Sequence, residues 1–344
     1  MNVLLITTLK NPAVGGIAVW TKHYLSRCIH HKLFCTVINT EKNTKKPFDG
    51  FANELLRTKR IITDLRHTLK MHRYDIAHLN TSCGPLGLFR DYLIATILYK
   101  EGIPVVTHYH CDIPHWITTS LKRYILKKLS KTSCLNLVLC ESSRIYLQNL
   151  NIDSIKVPNF IEESVIANHP KEIRDICSRI FFVGRVSESK GAREIYELAR
   201  RFPDKLFALA GGLVSPVDTW KKPANVQLMG RLTSDNIIRL LDQSDLFLFP
   251  SHSEGFSLAL MEAMARGVPC VAFDSVGANE DMLSDDCGVT VPYKDVDAME
   301  QAIRDLEDPT KRKIISKNAI AKVRNQYTTD TVLSSLNELY DDQL

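Results

Sequence analysis

Short, continuously apolar runs rich in β-branched residues recur along the chain, and longer stretches with helically spaced apolar positions separate them. Val3 to Thr7, Phe34 to Asn39, Ile76 to Leu79, Val105 to His108, Leu135 to Cys140 and Ile155 to Val157 set the rhythm. Hydrophobicity that does not alternate implies burial on both faces, the condition of a parallel sheet covered by helices. After a polar stretch from Glu162 to Arg174 the rhythm restarts with Ile180 to Val183, Leu206 to Ala210, Val226 to Leu228, Leu246 to Phe249, Val271 to Ala272 and Val289 to Val291. The pattern predicts an α/β protein of two doubly wound, Rossmann-like parallel sheets facing across a cleft, with ligands at the carboxyl ends of the strands. The length, 344 residues, also asks for two cores rather than one. We expect a first domain over 1–168, a second over 169–326 and a closing helix over 327–344.

Charge adds an asymmetry. Lys and Arg number 22 against 12 Asp and Glu over residues 1–170, and 22 against 27 over the rest. A basic half beside an acidic half points to contact with an anionic surface, nucleic acid or acidic lipid. The nine scattered cysteines form no Cys-x-x-Cys pair and no Cys/His cluster at zinc spacing, which fits a reducing cytoplasm. The first apolar run, Val3 to Ile6, is far shorter than a signal-peptide core or a membrane span.

Candidate chemistry gathers where strands meet helices. After the first strand come Asn11, Pro12, Gly15 and Gly16, and a helical pattern starts at Ile17. Exposed amides at a helix start favour an anion and glycine admits a close ligand, although two glycines also make a plain tight turn. This is not Gly-x-Gly-x-x-Gly, and the second strand ends in Asn39 and Thr40, so a dinucleotide fingerprint is poorly matched. "GRVSESKG" puts Arg185 and Lys190 in one strand-to-helix loop, a guanidinium fork and a point charge suited to a diphosphate. In "SEGFSLALMEAMARGVPCVA", Glu254 closes a loop and Glu262 lies on the following helix among Leu258, Met261, Ala263 and Met264. A carboxylate in so apolar a helix needs hydrogen-bond donors, and its two oxygens match the two hydroxyls of a ribose. Glu254 and the amides of Ser257 and Leu258 then meet sugar and phosphate.

These motifs resemble the retaining GT-B glycosyltransferases called group 1 or family 4. "GRVSESKG" is similar to the family's Gly-Arg, four residues, Lys-Gly loop. Glu254 and Glu262 reproduce its Glu-x7-Glu motif, and "VGANE" at Val276 to Glu280 its Gly-Gly-x-x-Glu turn with Val276 in place of one glycine. "VPNF" at Val157 to Phe160 also fits. The resemblance implies a GT-B fold and transfer of a sugar from a UDP- or GDP-sugar to a saccharide or lipid-linked acceptor. It further implies Arg185 and Lys190 on the donor diphosphate, Glu262 on the ribose, Glu254 by the transferred sugar and Gly16 near the phosphate. A histidine at the end of the fourth strand is implied beside the sugar; "VVTHYHCD" offers His108 and His110, and His110, at the strand's end, is the better placed. The family's architecture takes the closing helix back to the first domain. No metal or other cofactor is implied. The one Asp-x-Asp, Asp295 and Asp297, opens a helical pattern and reads as a cap.

"WITTSLKRYILKKLSK" places Ile117, Leu121, Tyr124, Ile125 and Leu129 on one helical face, with Lys122, Arg123, Lys127, Lys128 and Lys131 mostly elsewhere. Such a helix covers a sheet with a solvated basic back, lies on anionic lipid, or does both. The expectation is a cytoplasmic enzyme of cell-surface polysaccharide assembly, lipopolysaccharide, O-antigen or capsule, in peripheral contact with the inner face of the plasma membrane. The rivals are a sugar-phosphate synthase or phosphorylase on the same fold and a catalytically silent nucleotide-sugar-binding subunit. Nucleic acid is not an expected partner, since the basic stretch lacks interleaved aromatics.

Overall fold

The computed structural model describes residues 1–10, 15–42, 51–169 and 171–344. The chain divides into two compact units, Met1–Phe160 with Thr329–Leu344, and Ile161–Thr328. Residues 161–168, expected in the first domain, go with the second. The Ala167 N–H donates to Ala265 O at 3.0 Å, and Arg266 reaches Val165 O at 3.1 Å.

The first unit runs β1 (Asn2–Thr7), α1 (Gly16–Arg27), β2 (Phe34–Asn39), α2 (Phe51–Met71), β3 (Ile76–Thr81), α3 (Pro85–Lys100) and β4 (Val105–Tyr109). It continues through α4 (Ile113–Trp116), α5 (Ser120–Thr132), β5 (Leu135–Val138), α6 (Glu141–Gln148) and β6 (Ile155–Lys156). Its six strands are parallel in the order β2-β1-β3-β4-β5-β6, so the winding direction turns between β1 and β3. Successive strand residues face opposite ways, which gives this sheet two cores. Leu4, Ile6, Ala77 and Leu79 pack with Leu65 of α2, Leu88 of α3 and Leu126 of α5. Val3, Leu5, Ile76 and Val106 pack with Trp20 and Tyr24 of α1. Each fully buried Leu or Ile here contributes roughly 1.5–3 kcal/mol.

The second unit runs β7 (Arg179–Val183), α7 (Ala192–Arg201), β8 (Leu206–Ala210), β9 (Val226–Gly230), α8 (Ser234–Gln243), β10 (Leu246–Phe249), α9 (Leu258–Ala265) and β11 (Cys270–Phe273). It ends with α10 (Asn279–Leu283), β12 (Val289–Val291), α11 (Val296–Asp305) and α12 (Pro309–Gln326). Its parallel order is β12-β11-β10-β7-β8-β9, with the turn in winding between β7 and β10. Asp295 caps α11 by accepting the Ala298 N–H at 2.8 Å, and Asp297 pairs with Arg201. The closing helix α13 (Thr329–Asp341) returns to the first unit, where Val332, Leu333, Leu336 and Tyr340 complete the core over α1.

The basic stretch differs from its expected form. Thr119 caps α5 by accepting the Lys122 N–H at 3.3 Å, so Ile117 lies before the helix, though it is buried in the same core as Leu126 and Leu129. The face pressed inward carries Leu126, Leu129 and Ser130, while Leu121 and Tyr124 are 68% and 59% exposed. The neighbouring helix α3 selects that face, and helical periodicity alone does not reveal which neighbour a helix has.

Candidate active site

In doubly wound sheets, ligands bind beyond the strand ends where the winding turns. In the second unit those ends are the loops after β7 and β10, and they carry most of the residues singled out from sequence. Gly191 sits at φ 78° between a short 3₁₀ turn, Glu188–Lys190, and α7. A Cβ at Gly191 would lie 2.2 Å from Pro250 O, so only glycine lets the two loops touch. Gly277 of "VGANE" plays the same part beneath Glu254, where a Cβ would lie 2.5 Å from the carbonyls of both Glu254 and Gly255.

The loops bring Lys190 and Glu254 into an ion pair, Nζ to Oε1 at 2.5 Å, with both side chains 18% exposed. Lys190 also donates to Ser253 O at 3.2 Å, and Ser251 donates to Glu254 Oε1 at 3.0 Å. Sequence had given these two residues separate contacts and had not anticipated that each is the other's partner. The exposed Arg185 side chain makes no hydrogen bond or ion pair among the described residues. Ser257 caps α9, its hydroxyl accepting the Leu260 N–H at 3.2 Å, which leaves its own amide and that of Leu258 at the open helix end. Glu262, one turn further, has a carboxylate with no partner among the described residues, and burial pushes its pKa up to about 7. His252 of the β10 loop and Glu194 in the first turn of α7, not foreseen, pair at 2.7 Å.

In the first unit the helix α1 starts at Gly16 after Gly15 at φ 98°, with no side-chain cap. Asn11 and Pro12 of the same loop lie outside the described residues. The α1 face of the sheet turns from apolar to polar toward the strand ends, from Val3 and Leu5 to Thr7, from Ile76 to His78 and Asn80, and from Val106 to His108 and His110. Asn80 Oδ1 lies 3.0 Å from His78 Nε2 and 2.8 Å from His110 Nε2, and His78 Nδ1 lies 2.5 Å from the Tyr340 hydroxyl. On its other side Asn80 Nδ2 meets Thr7 Oγ1 at 2.9 Å, Thr7 meets Thr21 at 2.6 Å, and Thr21 meets Ile17 O at 2.8 Å.

Counting hydrogens fixes the direction of this chain. Three contacts run from Asn80 to Ile17 and two hydroxyls supply two hydrogens, so the third comes from the Asn80 amide nitrogen. Its oxygen therefore faces both imidazoles, each Nε2 carries a hydrogen, and Tyr340 donates to His78 Nδ1. His110 Nδ1 is left as a bare acceptor, buried and without a partner among the described residues. Burial, and next the neighbouring His78, push the His110 pKa down to about 3, and burial holds His78 at about 4. His108, its ring 4.1 Å from that of His110, is fully buried and its pKa too is lowered by burial. Sequence singled out His108 and His110 but missed His78, Asn80 and Tyr340. The alternation in "IAHLNT" was the available signal for the first two.

Residues 170–322 match the family model described as glycosyl transferases group 1. The match lies within the second unit, and the protein is a glycosyltransferase. The glycosyltransferase is 25% identical over 323 residues to the UDP-Gal:alpha-D-GlcNAc-diphosphoundecaprenol alpha-1,3-galactosyltransferase of Escherichia coli, spanning 84% of this chain and 81% of that one. Its fold is GT-B. Sucrose-phosphate synthase from Thermosynechococcus elongatus superposes with a TM-score of 0.80 at 15% identity, over 99% of this chain and 98% of that one. Anabaena HepE in complex with UDP does so with a TM-score of 0.75 at 15% identity, over 99% and 100%. No helix among the described residues of the enzyme is long and apolar enough to cross a membrane.

Proposed function

We propose that the enzyme takes a glycosyl group from a nucleoside diphosphate sugar, UDP- or GDP-linked, and transfers it with retention to a saccharide or lipid-linked acceptor in cell-surface polysaccharide assembly. The observation that carries this reading is Glu262, a carboxylate held in an apolar helix with its pKa raised to about 7 and no partner among the described residues. A buried ionised group is costly unless donors meet it, and the two hydroxyls of a ribose supply them. Arg185, free of described partners, and Lys190 take the diphosphate, together with the amides of Ser257 and Leu258 at the start of α9. Gly16, at the uncapped start of α1, offers its amide to a phosphate. Two similar proteins, HepE with UDP bound and the galactosyltransferase using UDP-Gal, favour a uracil base.

In the transfer, the bond from the sugar's C1 to the diphosphate oxygen breaks as the acceptor oxygen bonds to C1 on the same face. The acceptor proton passes to the departing phosphate oxygen. Lys190 and Arg185 offset the charge that builds on that oxygen. Glu254, neutralised by Lys190 until the donor arrives, is then free to accept a sugar hydroxyl. His110 Nδ1, fixed as an acceptor, takes another and so orients the ring. No metal takes part, so EDTA leaves donor binding unchanged.

The exposed Leu121 and Tyr124 beside Lys122, Arg123, Lys127 and Lys128 support peripheral contact with anionic lipid at the cytoplasmic face of the membrane.

Calorimetry and thermal shift with UDP and GDP, with and without EDTA, test the donor site, since a ligand that binds only the native state raises the melting temperature. UDP is expected to stabilise the protein with or without EDTA, and loss of that effect in Lys190→Ala is part of the expectation. Undiminished nucleotide affinity in Lys190→Ala would sink the assignment. Proton NMR of the first-formed product reads the anomeric configuration, and an inverted product would remove the retaining step.

A further inference from the structure

The first unit holds a cavity of about 400 Å³ at the carboxyl ends of β1 and β3, where the winding of its sheet turns. Its wall includes Lys42, Arg57, Arg90, Glu54, Leu86 and Gly87. None of the donor-site residues of the second unit lines it. The amino end of α3 opens onto it. Gly84 gives no side-chain cap and Pro85 has no N–H, so the first amides available are those of Leu86 and Gly87.

Arg90, one turn along α3, has a side chain only 7% exposed. Its Nε and Nη2 both donate to Asp91 Oδ1, at 2.9 and 2.8 Å. Its Nη1 has no partner among the described residues, though the residue lines the cavity. Arg57 is anchored nearby by donating to Thr40 O and to both oxygens of Glu54, and Lys42 reaches Glu54 at 3.5 Å. Burial, and then the charge of Arg90, weaken the hold of Arg57 on its proton. The two guanidinium groups thus repel each other across a partly dry space.

Three cations stand here against two carboxylates, Glu54 and Asp91. Arg90 with its idle Nη1, Arg57, Lys42 and the uncapped amino end of α3 thus line one cavity with a surplus of positive charge. A neutral sugar hydroxyl needs none of these, whereas a phosphate uses them all. On the same helix Leu86, at the cavity wall, and Phe89 are 39% and 46% exposed, an apolar rim beside the charged floor.

We propose that this cavity is the acceptor's phosphate subsite, in which a phosphate or diphosphate carried by the acceptor is held by Arg90, Arg57, Lys42 and the amino end of α3. The proposal rests on the glycosyl-transfer reading and narrows its acceptor to one bearing a phosphate. Leu86 and Phe89 then receive the first carbons of a lipid attached to that phosphate.

The test uses the full chain saturated with UDP, so that the donor site cannot answer for the new one. Melting temperature is followed against inorganic pyrophosphate, farnesyl diphosphate and farnesol. Pyrophosphate is expected to stabilise, farnesyl diphosphate to do so at lower concentration, and farnesol to have no effect. If the two diphosphates prove equal, the subsite stands and its ligand is a phosphate without a lipid. The variant Arg90→Gln with Asp91→Asn removes the cation together with its partner, leaving no unpaired buried carboxylate. It is expected to keep the UDP shift and to lose about tenfold or more in affinity for either diphosphate. A double variant that answers diphosphates as the parent does, or a farnesol effect equal to that of farnesyl diphosphate, overturns the proposal. If UDP fails to bind the parent, the donor reading falls instead, while the diphosphate titrations remain readable.

Discussion

The two units carry their polar residues in opposite ways. In the second sheet the neighbouring strands Leu246 to Phe249 and Cys270 to Phe273 are apolar and buried throughout, and that unit's candidate chemistry sits in loops and on a helix start as full charges. The first sheet brings polarity into its own strands, as a neutral chain from Tyr340 through His78 and Asn80 to His110. Loop charges sit on loops held by glycine contacts, and the proposed donor site has Lys190 and Glu254 change partners when a diphosphate binds. The strand network is fixed by β-pairing and has one consistent direction of hydrogen bonding. A flexible charged site suits a ligand that must leave, and a rigid neutral one suits holding a ring in one orientation.

The comparison reverses with pH, and Glu262 gives the largest expected effect. Its folded pKa, about 7, lies above the unfolded value, so its contribution to stability is fully present below about pH 4.5 and is lost as pH rises through 7. Glu262→Gln is therefore expected to melt higher than the parent at pH 8, by up to about 3 kcal/mol of stability, with the difference vanishing at pH 4.5. UDP affinity is expected to fall about a hundredfold in the same variant, since two bonds to a charged group are weakened. Calorimetry across pH reads both: the parent binds UDP more tightly as Glu262 ionises, and the variant loses that slope. A variant no more stable at pH 8 and equally fond of UDP would show Glu262 to be an ordinary surface carboxylate.

In the first unit the sign is opposite. His78 and His110 stay neutral when folded but take up protons when unfolded, so acid costs stability from about pH 6.5 down to their folded values near 4 and 3. For His78, fully buried, the loss amounts to up to about 3 kcal/mol. Turnover in the parent is accordingly expected to show no titration of His78 or His110 between pH 5 and 8. Asn80→Asp places a carboxylate against both Nε2–H groups and raises their pKa values. His110 then protonates near neutrality, Nδ1 ceases to accept, and kcat is expected to fall about tenfold at pH 6 relative to the parent while recovering by pH 8. A pH profile of kcat that is identical in the two proteins would remove His110 from any contact with the sugar, and a merely structural Asn80 would lower both ends alike.

How much of this was legible follows the same divide. Strand positions could be read throughout because continuous apolar runs such as Phe34 to Asn39 and Leu206 to Ala210 carry their own signal. The loop residues of the second unit lie close together in sequence, so spacing exposed Arg185 with Lys190 and Glu254 with Glu262. The network of the first unit joins residues from β1, β3, β4 and α13, and Tyr340 meets His78 across 262 positions. Nothing in a linear pattern couples those positions. The limit at Phe160 was missed for a similar reason, because residues 161–168 are held by α9 rather than by their own composition. The exposed face of α5 was misread because α3, not periodicity, decides which side is covered.

That same face gives the smallest expected effect and extends the comparison to the surface. The basic half of the sequence is the first, and Leu121 and Tyr124 stand out from α5 among Lys122, Arg123, Lys127 and Lys128, with the Lys128 ammonium 5.4 Å from the Tyr124 ring centre. Each cation near an acidic lipid surface contributes about 1 kcal/mol at most, so Lys127→Ala is expected to weaken sedimentation with phosphatidylserine-containing vesicles only about three- to fivefold. Leu121→Ser with Tyr124→Ser is expected to weaken it by a similar factor, but with a different salt response. Screening removes the attraction of the lysines, whereas apolar insertion persists at 0.5 M salt. If vesicle binding is unchanged in both variants, or is equal on neutral and anionic vesicles, α5 is an ordinary sheet cover. The acceptor's phosphate, held in the cavity beside α3, would then have to be reached without help from this surface.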